Sequence, residues 1–98
     1  MHDNTASPKM PAGNPDVMQF PMEFPLKVMG RNDPGFLETV SEIIKRHAPD
    51  FDPARIEKRL SRDDTYLSMT ATFSAQSREQ LDALYRELSG HPKVSVVL

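Results

Sequence analysis

Ninety-eight residues, 38% of them hydrophobic, with a mean hydropathy of -0.53 and a formal charge of -2 spread along the chain, make one small domain at most. That charge balance sets up no field able to gather DNA or anionic lipid, and no apolar run reaches the roughly 20 residues needed to cross a bilayer. The lack of cysteine removes disulfides, thiolate catalysis, iron–sulfur clusters and Cys-based zinc sites, and it fits a cytoplasmic protein.

Residues 1–22 are polar and proline-rich, with Pro8, Pro11, Pro15 and Gly13 among Asn, Asp, Ser and Lys, and they hold no apolar core of a secretory leader. They read as a disordered tail, which leaves 23–98 as a single domain. A unit of that size hides only roughly 60% of the surface its unfolded chain exposes. Its stability margin is thin, and pairing as a homodimer is favoured.

The segment Glu23–Gly30 is predicted to be a strand, with Phe24, Leu26 and Val28 alternating against Pro25, Lys27 and Met29. Phe36, Leu37, Val40, Ile43, Ile44 and His47 follow the i, i+3, i+4, i+7 spacing of an amphipathic helix. Glu38 and Glu42 stand early in it and Lys45, Arg46 and His47 late, the order that complements the helix dipole. Asp33 is predicted to cap this helix, with Pro34 at its first position, and Pro49 ends it. The stretch "RIEKRLSR" starts a second strand whose only apolar positions are Ile56 and Leu60. It reads as an edge, and Arg55, Lys58, Arg59 and Arg62 discourage pairing with other molecules.

Asp63-Asp64 supplies a hairpin turn. In "TYLSMTATFSA" the alternation puts Leu67, Met69, Ala71, Phe73 and Ala75 on one face and Tyr66, Ser68, Thr70, Thr72 and Ser74 on the other. Ser77 and Gln80 have the spacing of a capping box, Leu81, Leu84, Tyr85 and Leu88 form a buried stripe, and Gly90 and Pro92 stop the helix. The closing strand "KVSVVL" is predicted to turn Val94, Val96 and Leu98 inward and Val97 outward. The order β-α-β-β-α-β implies an α+β, ferredoxin-like sandwich: a four-stranded antiparallel sheet with two helices on one face.

Most chemistries this fold hosts lack their residues here. Base stacking on the central strands needs aromatics on one face, whereas Tyr66 and Phe73 fall on opposite faces, so no nucleic-acid partner is expected. Metal carriage through paired cysteines is excluded, and the glycine-rich phosphate cradle of an acylphosphatase-type hydrolase is missing around Arg31. His47 and His91 sit near helix C-termini, where imidazole eases exposed carbonyls, and the carboxylates are scattered. No metal, no cofactor and no catalytic residue is expected: the protein reads as a non-enzyme.

The loop after the first strand is the exception in character. Helix-start amides attract a carboxylate, Arg31 adds a forked donor, Asn32 or Asp33 can take an ammonium group, and Gly35 leaves the first turn free of a side chain. Together they suit a small zwitterion such as an amino acid. The stretch "NDPGFLETV" following a strand resembles the first-loop signature of ACT domains, which often bind amino acids at subunit contacts. The segments "FPLKVMG", "IIKRHAP", "LYREL" and "VSVVL", in that order and spacing, are similar to the YbeD-like family of small bacterial proteins. That resemblance implies a stand-alone ACT-like domain in the bacterial cytosol with a regulatory role, and it brings no catalytic residues.

Two functions follow as expectations. One is a regulatory module sensing a small ligand through Arg31, Asn32, Asp33 and Gly35. The other is an adaptor for an unidentified protein partner that uses the open sheet face, including Tyr66, Ser68, Thr70 and Val97, or the edge strand.

Overall fold

The computed structural model describes residues 19–98, and the expected tail through residue 18 lies outside them. The elements run β1 (Met22–Arg31), α1 (Phe36–His47), a 3-10 turn (Pro53–Arg55), β2 (Ile56–Leu60), β3 (Tyr66–Ala75), α2 (Arg78–Ser89) and β4 (Val94–Val97). The strands pair antiparallel in the order β2-β3-β1-β4, the ferredoxin-like arrangement expected. β1 starts one residue earlier than the alternation suggested, and Phe20 and Met22 already pack against the core.

β1 and β3 build the centre of the sheet. Their register sets Phe24 against Phe73, Leu26 against Ala71 and Val28 against Met69, each buried side chain opposite a buried one. Each fully buried Val, Leu or Phe of this kind contributes about 1.5–3 kcal/mol. The helices close the same face. α1 brings Phe36, Val40, Ile43 and Ile44, and α2 brings Leu81, Leu84 and Leu88. The Phe24 ring meets Phe73 at 6.1 Å, tilted, and Tyr85 at 6.5 Å, edge-on. Burial holds the Tyr85 hydroxyl without a hydrogen-bond partner and pushes its pKa up to about 12.

β4 departs from the expected alternation. Val97 pairs with Val28 and Val94 with Gly30, both on the core side, while Val96 pairs with Met29 on the open side. Ser95 has no partner in the register, so a β-bulge lies between the two halves of the strand. The expectation that Val97 faces outward is therefore corrected: Val94 and Val97 pack against the core, and Val96 and Leu98 are exposed. Leu98 continues the ladder by exchanging both backbone bonds with Lys27, at 2.8 and 3.2 Å.

The start of α1 is also corrected. Asp33 does not cap it. The Asp33 carbonyl accepts from the Phe36 N–H at 3.2 Å, and Gly35 between them has φ 83° and ψ -5°, the third position of a type II turn with Pro34 before it. The turn consumes the Pro-Gly pair, and the helix begins after it at Phe36, with Gly35 in the cap position and no side-chain cap.

At the other end, Phe51 is buried, a core residue hidden in the Asp- and Pro-rich connection. Ser77 caps α2 by accepting from the Gln80 N–H at 3.1 Å. Gln80 answers not to Ser77 but to Gln76, whose N–H it accepts at 2.7 Å, and it donates to the His47 carbonyl at 2.8 Å. One carboxamide thus satisfies an orphan carbonyl of α1 and the amide just before the α2 cap. The His47 ring, expected at the carbonyls of its own helix, reaches across to Glu87 instead, at 2.7 Å.

Candidate functional site

The β1–α1 loop leaves the sheet where Arg31 ends β1, and it is fixed to the β2–β3 hairpin. The Asn32 N–H donates to the Thr65 carbonyl at 2.8 Å, and its side-chain amide donates to the Asp64 carbonyl at 3.1 Å. The hairpin is itself firm. Asp63 Oδ1 accepts from the Thr65 N–H and from the Ser61 hydroxyl, which hold its carboxyl below the usual carboxylate range. Asp64 takes a φ of 63°, a left-handed conformation that Asp tolerates better than most residues.

Between this loop, the start of α1 and the edge strand β2 lies a cleft of about 390 Å³, lined by Asn32, Asp33, Gly35, Leu37, Lys58, Leu60 and Leu67. Its walls divide by chemistry. Leu37, Leu60 and Leu67 form an apolar side, while Asn32, Asp33 and Lys58 supply an amide, a carboxylate and an ammonium at the rim. A size within the small-molecule range and a few polar groups around an apolar wall are what a ligand pocket needs.

Three of the four loop residues singled out in the sequence, Asn32, Asp33 and Gly35, are brought together here. Arg31 is not. It pairs with Tyr66 at the end of the ladder, on the open side of the sheet and outside the cleft lining. The cation in the lining is Lys58. Its inclusion follows from the register: Lys58 is opposite Met69, a core-side position, so on an edge strand its side chain runs along the rim of the helix layer. Leu60, opposite Leu67, is 46% exposed for the same reason. A leucine on a strand otherwise rich in charge was the one signal in the sequence for this wall.

A second cleft of about 220 Å³ lies by the other end of α1, lined by Phe51, Thr72, Gln76 and Gln80 among others. Several of its polar groups are already engaged: Arg55 bonds Glu23 at 2.7 Å, Asp52 accepts from the Ala54 N–H, and Gln80 donates to the His47 carbonyl. This end is architecture. On the opposite side of the sheet, Tyr66, Ser68 and Thr70 share the open face as expected, beside Lys27, Met29, Arg31, Glu57 and Arg59. Among the described residues no group of three or more His, Asp or Glu side chains is placed to hold a metal ion, and no helix is long and apolar enough to cross a membrane.

Fold and site together define a ferredoxin-like α+β domain with one cleft at a helix start and one bare sheet face. The chain belongs to the family described as "Protein of unknown function (DUF493)", whose model matches residues 15–98. This is the bacterial, YbeD-like family anticipated from the four ordered motifs. Among its curated relatives, a UPF0250 protein of Leptothrix cholodnii is 54% identical over 82 residues, covering 84% of this chain and 90% of the relative. One from Nitrosomonas europaea is 46% identical over 82 residues, covering 84% and 94%. One from Ralstonia nicotianae is 42% identical over 98 residues, the full length of both chains. None of these names states an enzymatic activity.

Proposed function

We propose that this protein is a non-catalytic, cytoplasmic regulatory module that binds a small amphipathic ligand, of the amino-acid type, in the cleft beside the start of α1. The single observation that carries this reading is the lining of that cleft: Asp33 and Lys58 at the rim offer opposite charges, and Leu37, Leu60 and Leu67 offer an apolar wall. A zwitterion with an apolar side chain matches all three surfaces at once. A phosphate would meet Asp33 unfavourably.

The test is a titration of the full chain with a panel of free amino acids, followed through backbone amide signals. The expected result is a saturable shift at Asn32, Gly35, Lys58 and Leu67, with selectivity for apolar side chains, that weakens about tenfold in Asp33→Asn. Signals unmoved by every compound at millimolar concentration would remove this reading.

A further inference from the structure

We propose that the β2 edge is the docking surface for an extended acidic segment of a partner protein, which adds to the sheet as a fifth strand. Lys58 also lines the cleft beside α1, so the two readings are told apart by whether the β2 edge amides or those of Asn32 and Gly35 respond.

The backbone comes first. Ser61 donates to the Tyr66 carbonyl at 2.9 Å, and in an antiparallel pair bonded residues alternate. Glu57 and Arg59 therefore bond to β3, while Ile56, Lys58 and Leu60 turn their N–H and C=O groups away from the sheet, toward solvent. No other element of the described residues covers that row; β2 lies at the end of the strand order and nearly all of it is exposed. An extended chain recognises such a row through main-chain hydrogen bonds.

Charge then selects the occupant. Residues 55–62 hold Arg55, Lys58, Arg59 and Arg62 against Glu57 alone. Arg55 is engaged with Glu23, but Lys58 and Arg59 form no ion pair among the described residues. The whole chain carries -2, so this is a local excess of positive charge on a protein of the opposite sign. A second copy brought edge to edge would set the same cations against each other. An acidic strand paired to β2 would meet Arg59 on the open side of the sheet and Lys58 on the helix side.

The other edge makes the contrast. β4 reads Val94 to Val97 with no charge at all, so it offers an acidic partner neither attraction nor specificity.

The experiment uses the full chain and a peptide about ten residues long that alternates Glu and Val, enough to span β2. Hydrogen exchange and amide shifts are read at Ile56, Lys58 and Leu60. Support would be saturable binding that slows exchange at these amides, weakens with salt, and falls at least about tenfold in Lys58→Glu/Arg59→Glu. Both positions are exposed, and the milder Lys58→Gln/Arg59→Gln pair repeats the test should the reversal harm folding. No binding at millimolar peptide overturns the proposal. So does binding without protection of the edge amides, or equal binding by an oligodeoxynucleotide of the same charge, because either reduces the surface to a diffuse cation patch. Concentration-dependent protection of the same amides without any peptide also overturns it, since the occupant would then be a second copy.

Discussion

At its C-terminal end α1 is gripped from outside by side chains: Gln80 holds the His47 carbonyl, Glu87 takes both the His47 ring and the Arg46 guanidinium, and Phe51 fills the space beneath. At its N-terminal end no side chain caps it, and order comes mainly from the backbone, through the Asp33–Phe36 turn and the Asn32 N–H bond to the hairpin, with the Asn32 side-chain amide beside it. The first end has few polar groups left to offer a ligand. The second leaves Asp33 uncommitted beside an apolar wall. Where a small fold locks an element with side chains it gains rigidity, and where it relies on main chain it keeps side chains for binding.

The largest expected effect lies at the backbone-held end. A Cβ at Gly30 would collide with the Lys93 carbonyl oxygen and with the Phe36 ring, whose Cζ would stand 2.5 Å away. Gly30→Ala is expected to cost about 3 kcal/mol, measured by urea unfolding. A loss below about 1 kcal/mol would mean that this end yields easily and that the contrast between the two ends is misdrawn.

Next comes the side-chain latch. Gln80→Ala strips the partner from the Gln76 N–H and from the His47 carbonyl, and a loss of about 1–2 kcal/mol is expected. Hydrogen exchange should quicken at the end of α1 and the start of α2, with the Asn32 loop unchanged. Quickening at both ends of α1 would show that the two are one cooperative unit.

The smallest effect is the pH dependence of the latch. Hydrogen bonds from His47 and then Arg46 hold the Glu87 carboxyl below its ordinary value of 4.5. Between the folded value and 4.5 the unfolded chain binds more protons, so stability rises with pH in that window. The contribution is present above the unfolded value and is lost as the pH falls through the folded one. Glu87→Gln should flatten this acid limb without abolishing it, because Asp63 is lowered as well. Thermal unfolding across the acid range checks the outcome, and an unaltered limb would show that the ion pairs are ornamental to stability.

Much of the fold was legible because its signals are local. β3 alternates without interruption from Tyr66 to Ala75, and both helices carry their apolar stripe at helical spacing, so layer and order followed. What escaped was non-local or compressed into one residue. Ser95 shifts the phase of β4, and alternation taken from Val94 then assigns Val96 and Leu98 to the wrong side. The Pro-Gly turn competes with Asp33 for the helix start, and a positive φ at Gly35 decides it. His47, Gln80 and Glu87 meet across 33 to 40 residues of chain, a distance no spacing rule bridges. The cleft was half visible: Asn32, Asp33 and Gly35 are consecutive enough to be read together, whereas Lys58 joins them only through the sheet.

The unpaired Ser95 also decides what the bare side of the sheet looks like. With two valines of β4 drawn inward three positions apart, Val96 and Leu98 are left outside in line with Met29, an oily margin along a field of hydroxyls and cations. That side is consequently two-toned, greasy toward one border and wet toward the other. Anything lying flat across it would be oriented by that gradient before a single specific bond had formed.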